Sequence, residues 1–128
     1  MSKVFCIILA FLISSSVFAD WKIDVKSVYD GDTITADIHL GLQVVLANQK
    51  IRLLYIDAPE ARGFFKKKGE KSREHLIGLL KDKEVYLSVD PKEKERDSFG
   101  RVLGILKVGD VVINSKMIED GFAVPYKK

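Results

Sequence analysis

Ile51-Arg52-Leu53-Leu54-Tyr55-Ile56-Asp57-Ala58-Pro59-Glu60 reads as a strand that ends at an acid. Ile51 to Ile56 is aliphatic or aromatic apart from one arginine, the composition of a buried strand. Pro59 cannot donate to a sheet ladder and biases Ala58 towards an extended backbone. Two carboxylates, Asp57 and Glu60, therefore sit where a buried strand emerges into a turn. Arg52 lies inside the apolar run, where a cation is costly unless paired. In a flat strand Arg52 and Asp57 point to opposite faces and lie about 17 Å apart at ~3.3 Å per residue. They can share a site only if the strand coils, bulges or has already turned at Asp57.

Upstream of this stretch, Trp21, Ile23 and Val25 alternate with Lys22, Asp24 and Lys26, which predicts a first strand over 21–29. Asp30-Gly31-Asp32 is a turn, and alternation resumes from Thr33 to Leu40. Gly41 marks the next turn. Val44-Val45-Leu46 opens a third strand, bent over Ala47–Lys50 and completed by Ile51–Ile56. Short turns between consecutive strands make a meander.

Downstream, Ala61–Gly69 reads as a loop containing Phe64-Phe65 and Lys66-Lys67-Lys68. The two phenylalanines are expected to pack beneath it. Glu70–Asp82 reads as a helix with Ile77, Leu76, Leu79 and Leu80 inward. Val85, Leu87 and Val89 predict a fourth strand, Arg101–Val108 a fifth, and Ile113–Asp120 a second helix closed by Gly121. His39 and His75 are expected at the surface. Five strands with a helix between the third and fourth is the order of an OB-fold barrel. The fold class is α+β: a five-stranded OB-fold barrel with two or three short helices.

The 128 residues, 47% hydrophobic and 30% charged, suit one domain with one core. Residues 1–19 read as a signal peptide. Lys3 gives a basic start, Val4–Ile13 an apolar run too short to span a bilayer comfortably, and Val17-Phe18-Ala19 a small-x-small cleavage site. The domain then occupies residues 20–128 and is exported, periplasmic or extracellular, with no stable membrane association. Cleavage removes Cys6, the one cysteine, and Lys3, lowering the formal net charge of +3 by one. No thiol, disulfide or cysteine metal site remains. So mild a charge permits a polyanion partner without demanding one.

The acids and arginines suggest chemistry. Two carboxylates, Asp32 and Asp57, with a backbone carbonyl and water make a hard-cation site suited to calcium. Glu60, just past the strand end, is free to act as a base on a water. A guanidinium grips phosphate through paired N–H groups and stabilises added negative charge, which Arg52 can do, as can Arg101 after Gly100.

With these motifs in view, the chain resembles the thermonuclease family, the staphylococcal-nuclease-like domains. The resemblance lies in Val28-Tyr29-Asp30-Gly31-Asp32-Thr33, in Ile51–Glu60, in Phe99-Gly100-Arg101 and in Met117-Ile118-Glu119-Asp120-Gly121-Phe122-Ala123. It implies an OB-fold and a calcium-dependent nuclease acting on DNA and RNA, leaving a 3′-phosphate and a 5′-hydroxyl. It further implies calcium ligation by Asp32, Asp57 and the Ala58 backbone carbonyl, Glu60 as general base, and Arg52 and Arg101 as catalytic phosphate clamps. The expected partner is nucleic acid and the expected state a monomer. Ser98-Phe99 replaces a lysine-tyrosine pair of the best-known members. The 61–69 loop is shorter, and most of a third helix is missing, leaving Tyr126 alone for base stacking. The alternative is a non-catalytic OB-fold module that binds single strands; retention of Asp32, Asp57, Glu60, Arg52 and Arg101 separates the two.

Overall fold

A computed structural model describes residues 20–127; the expected signal peptide, residues 1–19, lies outside them. The barrel begins with β1 (Trp21–Asp30), β2 (Thr33–Gly41) and β3 (Val44–Leu53), an antiparallel meander as the alternation predicts. Two irregularities in β1, between Val25 and Ser27 and between Val28 and Asp30, each add a residue against β2. Strict alternation from Ile23 would send Val28 and Asp30 outward. The first extra residue rephases the strand and turns Val28 into the core; the second restores the phase, so Asp30 pairs with Thr33 on the face that carries Arg52 and is buried there.

The β2–β3 register sets Thr33 opposite Arg52 and Ile34 opposite Ile51. The predicted bend in β3 is a bulge around Ala47-Asn48. Asn48 takes φ +53°, a conformation asparagine tolerates better than most residues, and its N–H donates to Asp37 Oδ1 at 2.9 Å.

The expected strand Ile51–Ile56 is interrupted. β3 ends at Leu53, Leu54-Tyr55 turns with Tyr55 at φ +70°, and Ile56-Asp57 forms the separate short strand β4. The turn is fixed from outside: the buried Asn114 side chain donates to the carbonyls of Leu54 and Gly104 at 2.8 and 3.1 Å and accepts from Leu106 N–H at 2.9 Å. Asn114 thus ties the Leu54-Tyr55 turn to β6 (Val102–Val108) and satisfies backbone groups of both.

A 3₁₀ turn over Gly63–Phe65 leads into helix α1 (Lys66–Leu80). This corrects two expectations. Lys66-Lys67-Lys68 is the first turn of the helix, and neither phenylalanine is packed under a loop; Phe64 is 95% and Phe65 58% exposed. The helix start has no side-chain N-cap, so the usual sequence signal is missing. The buried stripe of α1 is Gly69, Ser72, Leu76 and Leu80.

β5 (Val85–Ser88) pairs antiparallel with β1 and with β6 (Val102–Val108). β6 then runs parallel to β3, with Ile51 against Val102 and Leu53 against Gly104. That pairing closes the order β3-β2-β1-β5-β6 into a barrel, the predicted OB-type α+β fold. Ile34, Ile51, Leu53, Leu87 and Leu106 from the barrel meet Leu76 from α1 in one core.

A short strand β7 (Val111–Val112) pairs back on β6 and leads into α2 (Ile113–Glu119), whose Ile113 and Met117 join that core. α2 ends as predicted: Gly121 takes φ +83°, Phe122 N–H reaches the Met117 carbonyl at 2.9 Å and Gly121 N–H the Ile118 carbonyl at 3.0 Å, a Schellman closure. The tail strand β8 (Val124–Pro125) pairs with β4. His75 is half-buried, bonded to Asp120 at 2.7 Å and stacked on Phe122, rather than a plain surface residue.

Gly69 has a packing reason to be glycine. A Cβ there would stand 1.9 Å from the Glu60 carbonyl oxygen and 2.5 Å from Ala61 N, and backbone atoms cannot step aside. Alanine is the better helix former by about 1 kcal/mol, yet overpacking of this kind costs roughly 1–3 kcal/mol or more. Gly69→Ala is therefore expected to lower the denaturant midpoint. A raised midpoint would mean that α1 does not lie against the Glu60 backbone.

Candidate active site

The barrel register builds the site. Thr33 opposite Arg52 brings the Asp30–Thr33 turn to the end of β3, where Leu53 N–H donates to the Asp32 carbonyl at 2.8 Å. Asp32 is almost fully buried, and its carboxylate is held by short bonds. Thr33 Oγ1 donates to Oδ1 at 2.9 Å, and Ala58 N–H donates to Oδ2 at 2.8 Å. The second bond ties the turn to the segment after β4.

The Leu54-Tyr55 turn resolves the Arg52–Asp57 geometry. With the strand broken, Asp57 folds back beside Arg52, and Arg52 Nη2 lies 3.3 Å from Asp57 Oδ1 and 3.4 Å from Asp32 Oδ2. Arg52 Nη1 donates to the carbonyls of Leu53 and Ile56 at 2.9 and 3.0 Å. The guanidinium is thus fixed by the turn it spans, and two acids distant in sequence converge on one of its nitrogens.

Glu60 is exposed at the mouth of the same cleft, a cavity of about 840 Å³ that also takes in Asp32, Asp57, Arg52 and Arg101. Its carboxylate makes no hydrogen bond or ion pair among the described residues, whereas its backbone is pressed against α1 at Gly69. The carboxylate thus has no protein partner among the described residues to compete with a water for its lone pairs.

Arg101 reaches the cleft from the start of β6. Asp97 anchors it twice, accepting from its backbone N–H at 2.9 Å and from Nε at 2.7 Å. Burial pushes the Asp97 carboxyl up, but the Arg101 N–H, guanidinium and charge outweigh it and hold the group below the usual carboxylate range. Phe99 stands in the open, 82% exposed, with the Arg101 guanidinium 5.3 Å from its ring centre. Phe99, Tyr126, Arg52 and Arg101 line one further cavity of about 330 Å³. Tyr126 is placed there by its N–H bond to the Tyr55 carbonyl at 2.8 Å.

Three features escaped the sequence. Asp30 is buried, accepts from Asp32 N–H at 3.1 Å, and has its carboxyl pushed up to about 7, chiefly by burial and then by the Asp32 side chain and its charge, with the Asp32 N–H and Arg52 opposing. The Asp-x-Asp spacing is its only signal, and the strand pairing that sets it opposite Thr33, beside Arg52, leaves none. Arg73, whose Nε donates to the Val28 carbonyl at 2.8 Å, and Arg62, 5.1 Å from the Tyr29 ring centre, add positive charge to the cleft wall.

The donor set suits a hard divalent cation: Asp32 and Asp57 supply carboxylate oxygens, and among the described residues no sulfur or imidazole lines the cleft. Among the described residues no three acidic, histidine or cysteine side chains are placed to enclose a metal. A cation here would therefore need the Ala58 carbonyl and water as well, the mixed shell calcium accepts.

The structure is thus an OB-type barrel with a cleft in which acids and arginines converge. The sequence pattern of the family described as staphylococcal nuclease homologue matches residues 50–128, and the chain belongs to that family. It is 31% identical over 125 residues to the micrococcal nuclease of Shigella flexneri, covering 91% of this chain and 64% of the relative. It is also 31% identical over 125 residues to Protein ParB of Escherichia coli, covering 91% and 63%. An uncharacterized endonuclease of Haemophilus influenzae is 34% identical over 104 residues, covering 81% and 52%. The chain thus spans between about half and two thirds of the length of these relatives.

Proposed function

We propose that this protein is a calcium-dependent nuclease that hydrolyses phosphodiester bonds of DNA and RNA. The observation that carries this reading is the convergence of Asp32 and Asp57 on the Arg52 guanidinium, with Arg101 and with Glu60, unpaired among the described residues, in the same cleft. Family membership and the nuclease names of two relatives support it.

In the proposed reaction Glu60 takes a proton from a water whose oxygen attacks phosphorus. Arg52 and Arg101 hold the non-bridging oxygens and stabilise the negative charge that builds on them. The bond from phosphorus to the 5′ oxygen breaks and that oxygen takes a proton, leaving a 3′-phosphate and a 5′-hydroxyl. Asp32, Asp57 and the Ala58 carbonyl would hold the calcium ion, which would supply positive charge for the phosphate and the attacking water. Asp97 keeps Arg101 aimed without touching substrate.

End-group analysis tests the chemistry: products should accept label at a 5′-hydroxyl without prior dephosphorylation. Products bearing 5′-phosphates would overturn the bond assignment. The exposed Phe99 and Tyr126 beside the arginines also favour a second reading, a non-catalytic module that stacks single-stranded bases; that protein would bind strands and release them uncut.

Export, with action as a monomer, belongs to the same proposal. It is motivated by Lys3, the apolar run Val4–Ile13 and Val17-Phe18-Ala19. Protein recovered outside the cytoplasm is expected to have an intact mass that begins at Asp20. A chain retaining Met1 in the membrane fraction would count against it.

A further inference from the structure

A second concavity, about 590 Å³, opens on the other side of Asp57 and Ala58. Both residues also line the catalytic cleft, so the groove begins where the cleft ends. Pro59, Phe122, Ala123 and Val124 give it an apolar lining, to which Phe65, Lys68 and Lys71 add a ring and two cations. Phe64 stands beside Phe65 in an edge-to-face pair with ring centres 5.2 Å apart.

Two features of this region are unfavourable for the folded chain alone. Two phenylalanines face water on one short turn. Lysines fill the first turn of α1 with no acid among them, where the helix dipole disfavours positive charge. Lys66 has Glu70 at 3.9 Å, whereas Lys67, Lys68 and Lys71 have no ion-pair partner among the described residues. Exposed rings beside unpaired cations, continuous with a phosphate-handling cleft, match a polyanion whose bases offer flat faces.

We propose that this groove is an extended subsite for single-stranded nucleic acid. Lys68 and Lys71 hold phosphates flanking the scissile bond, and Phe64 and Phe65 stack on a base leaving the cleft. The inference rests on the nucleic-acid reading of the cleft. A bilayer could take up the protruding Phe64, but a flat surface does not fill a groove that starts at Asp57. Chain length should then matter: a dinucleotide fills the cleft alone, and a longer strand gains the groove.

The test is equilibrium binding by the full protein carrying Glu60→Gln to slow cutting, with calcium present, of a dye-labelled single strand about 12 nucleotides long, within the range of single-strand sites. A dinucleotide serves as the short control. Phe64→Ala, chosen because its side chain is already in solvent, and Phe64→Ala with Phe65→Ser are expected to weaken the long strand about tenfold and leave the dinucleotide unchanged. Lys68→Gln with Lys71→Gln should lower the salt-dependence slope by roughly 1.4, at about 0.7 per phosphate contact. In cleavage assays the same groove substitutions, made with Glu60 intact, should raise KM for long strands and preserve kcat.

Unchanged affinity and slope in all these variants would overturn the subsite. So would variants that lose binding only to vesicles of phosphatidylglycerol and retain full affinity for the strand. Cleavage of any strand by the wild type is scored separately, so a failed nuclease reading cannot be mistaken for a failed groove.

Discussion

Replacing Glu60 by glutamine is expected to lower turnover by about 10²- to 10⁴-fold, the range a positioned general base contributes. Glutamine keeps the size and hydrogen-bonding capacity of glutamate but cannot take a proton. The Glu60 side chain holds nothing else in place among the described residues, and its backbone is seated by Gly69 of α1, so the fold is expected to survive. The proposed cation ligands, Asp32, Asp57 and the Ala58 carbonyl, are untouched, so calcium-dependent binding of nucleotide should remain. Single-turnover cleavage measured beside calcium titration separates the two effects. Cleavage at the wild-type rate would remove Glu60 from the mechanism.

Arg52→Lys is expected to cost roughly 10²- to 10³-fold in turnover, the scale of losing one preorganised group that stabilises developing charge. The same change should reduce stability by about 1–3 kcal/mol. Arg52 is largely buried and does two jobs through two nitrogens. Nη1 holds the Leu53 and Ile56 carbonyls on either side of the Leu54-Tyr55 turn, and Nη2 lies between Asp32 and Asp57. One ammonium cannot reproduce a planar fork with fixed directions. It would leave turn carbonyls unpaired or the acids without their shared counter-charge. kcat/KM and the denaturant midpoint, measured on the same preparation, should fall together. A variant with unchanged midpoint and rate would show that the Arg52 contacts matter to neither.

Much of this was legible from residue types alone. Alternation from Trp21 through Leu40 gave the meander, because one buried face imposes a period of two. Gly121 marked the end of α2, because a left-handed closure favours glycine. The acids and arginines of the cleft could be selected because a buried cation in an apolar strand and an acid at a strand end are uncommon placements.

Distances were not legible. A strand read straight through Ile51–Ile56 holds Arg52 and Asp57 far apart. The break at Leu54-Tyr55 depends on Asn114, about sixty residues away in sequence, and no local pattern announces that bond. Asp30 is set opposite Thr33, beside Arg52, by a register whose two extra residues appear only against a partner strand. The start of α1 was missed for a related reason: a turn of three lysines without an N-cap resembles a solvated loop. The unfavourable placement of those lysines is itself the clue to the groove beside them.

The central claim is that the rim cleft is a metal-dependent nuclease centre. It is tested most directly by incubating the purified protein with supercoiled plasmid and with RNA, first with calcium, then in excess chelator, then with calcium restored. Cutting is expected with calcium, none in chelator, and recovery on re-addition. Full cutting in excess chelator with no metal detected, or binding of strands without cutting under any divalent ion, would contradict it.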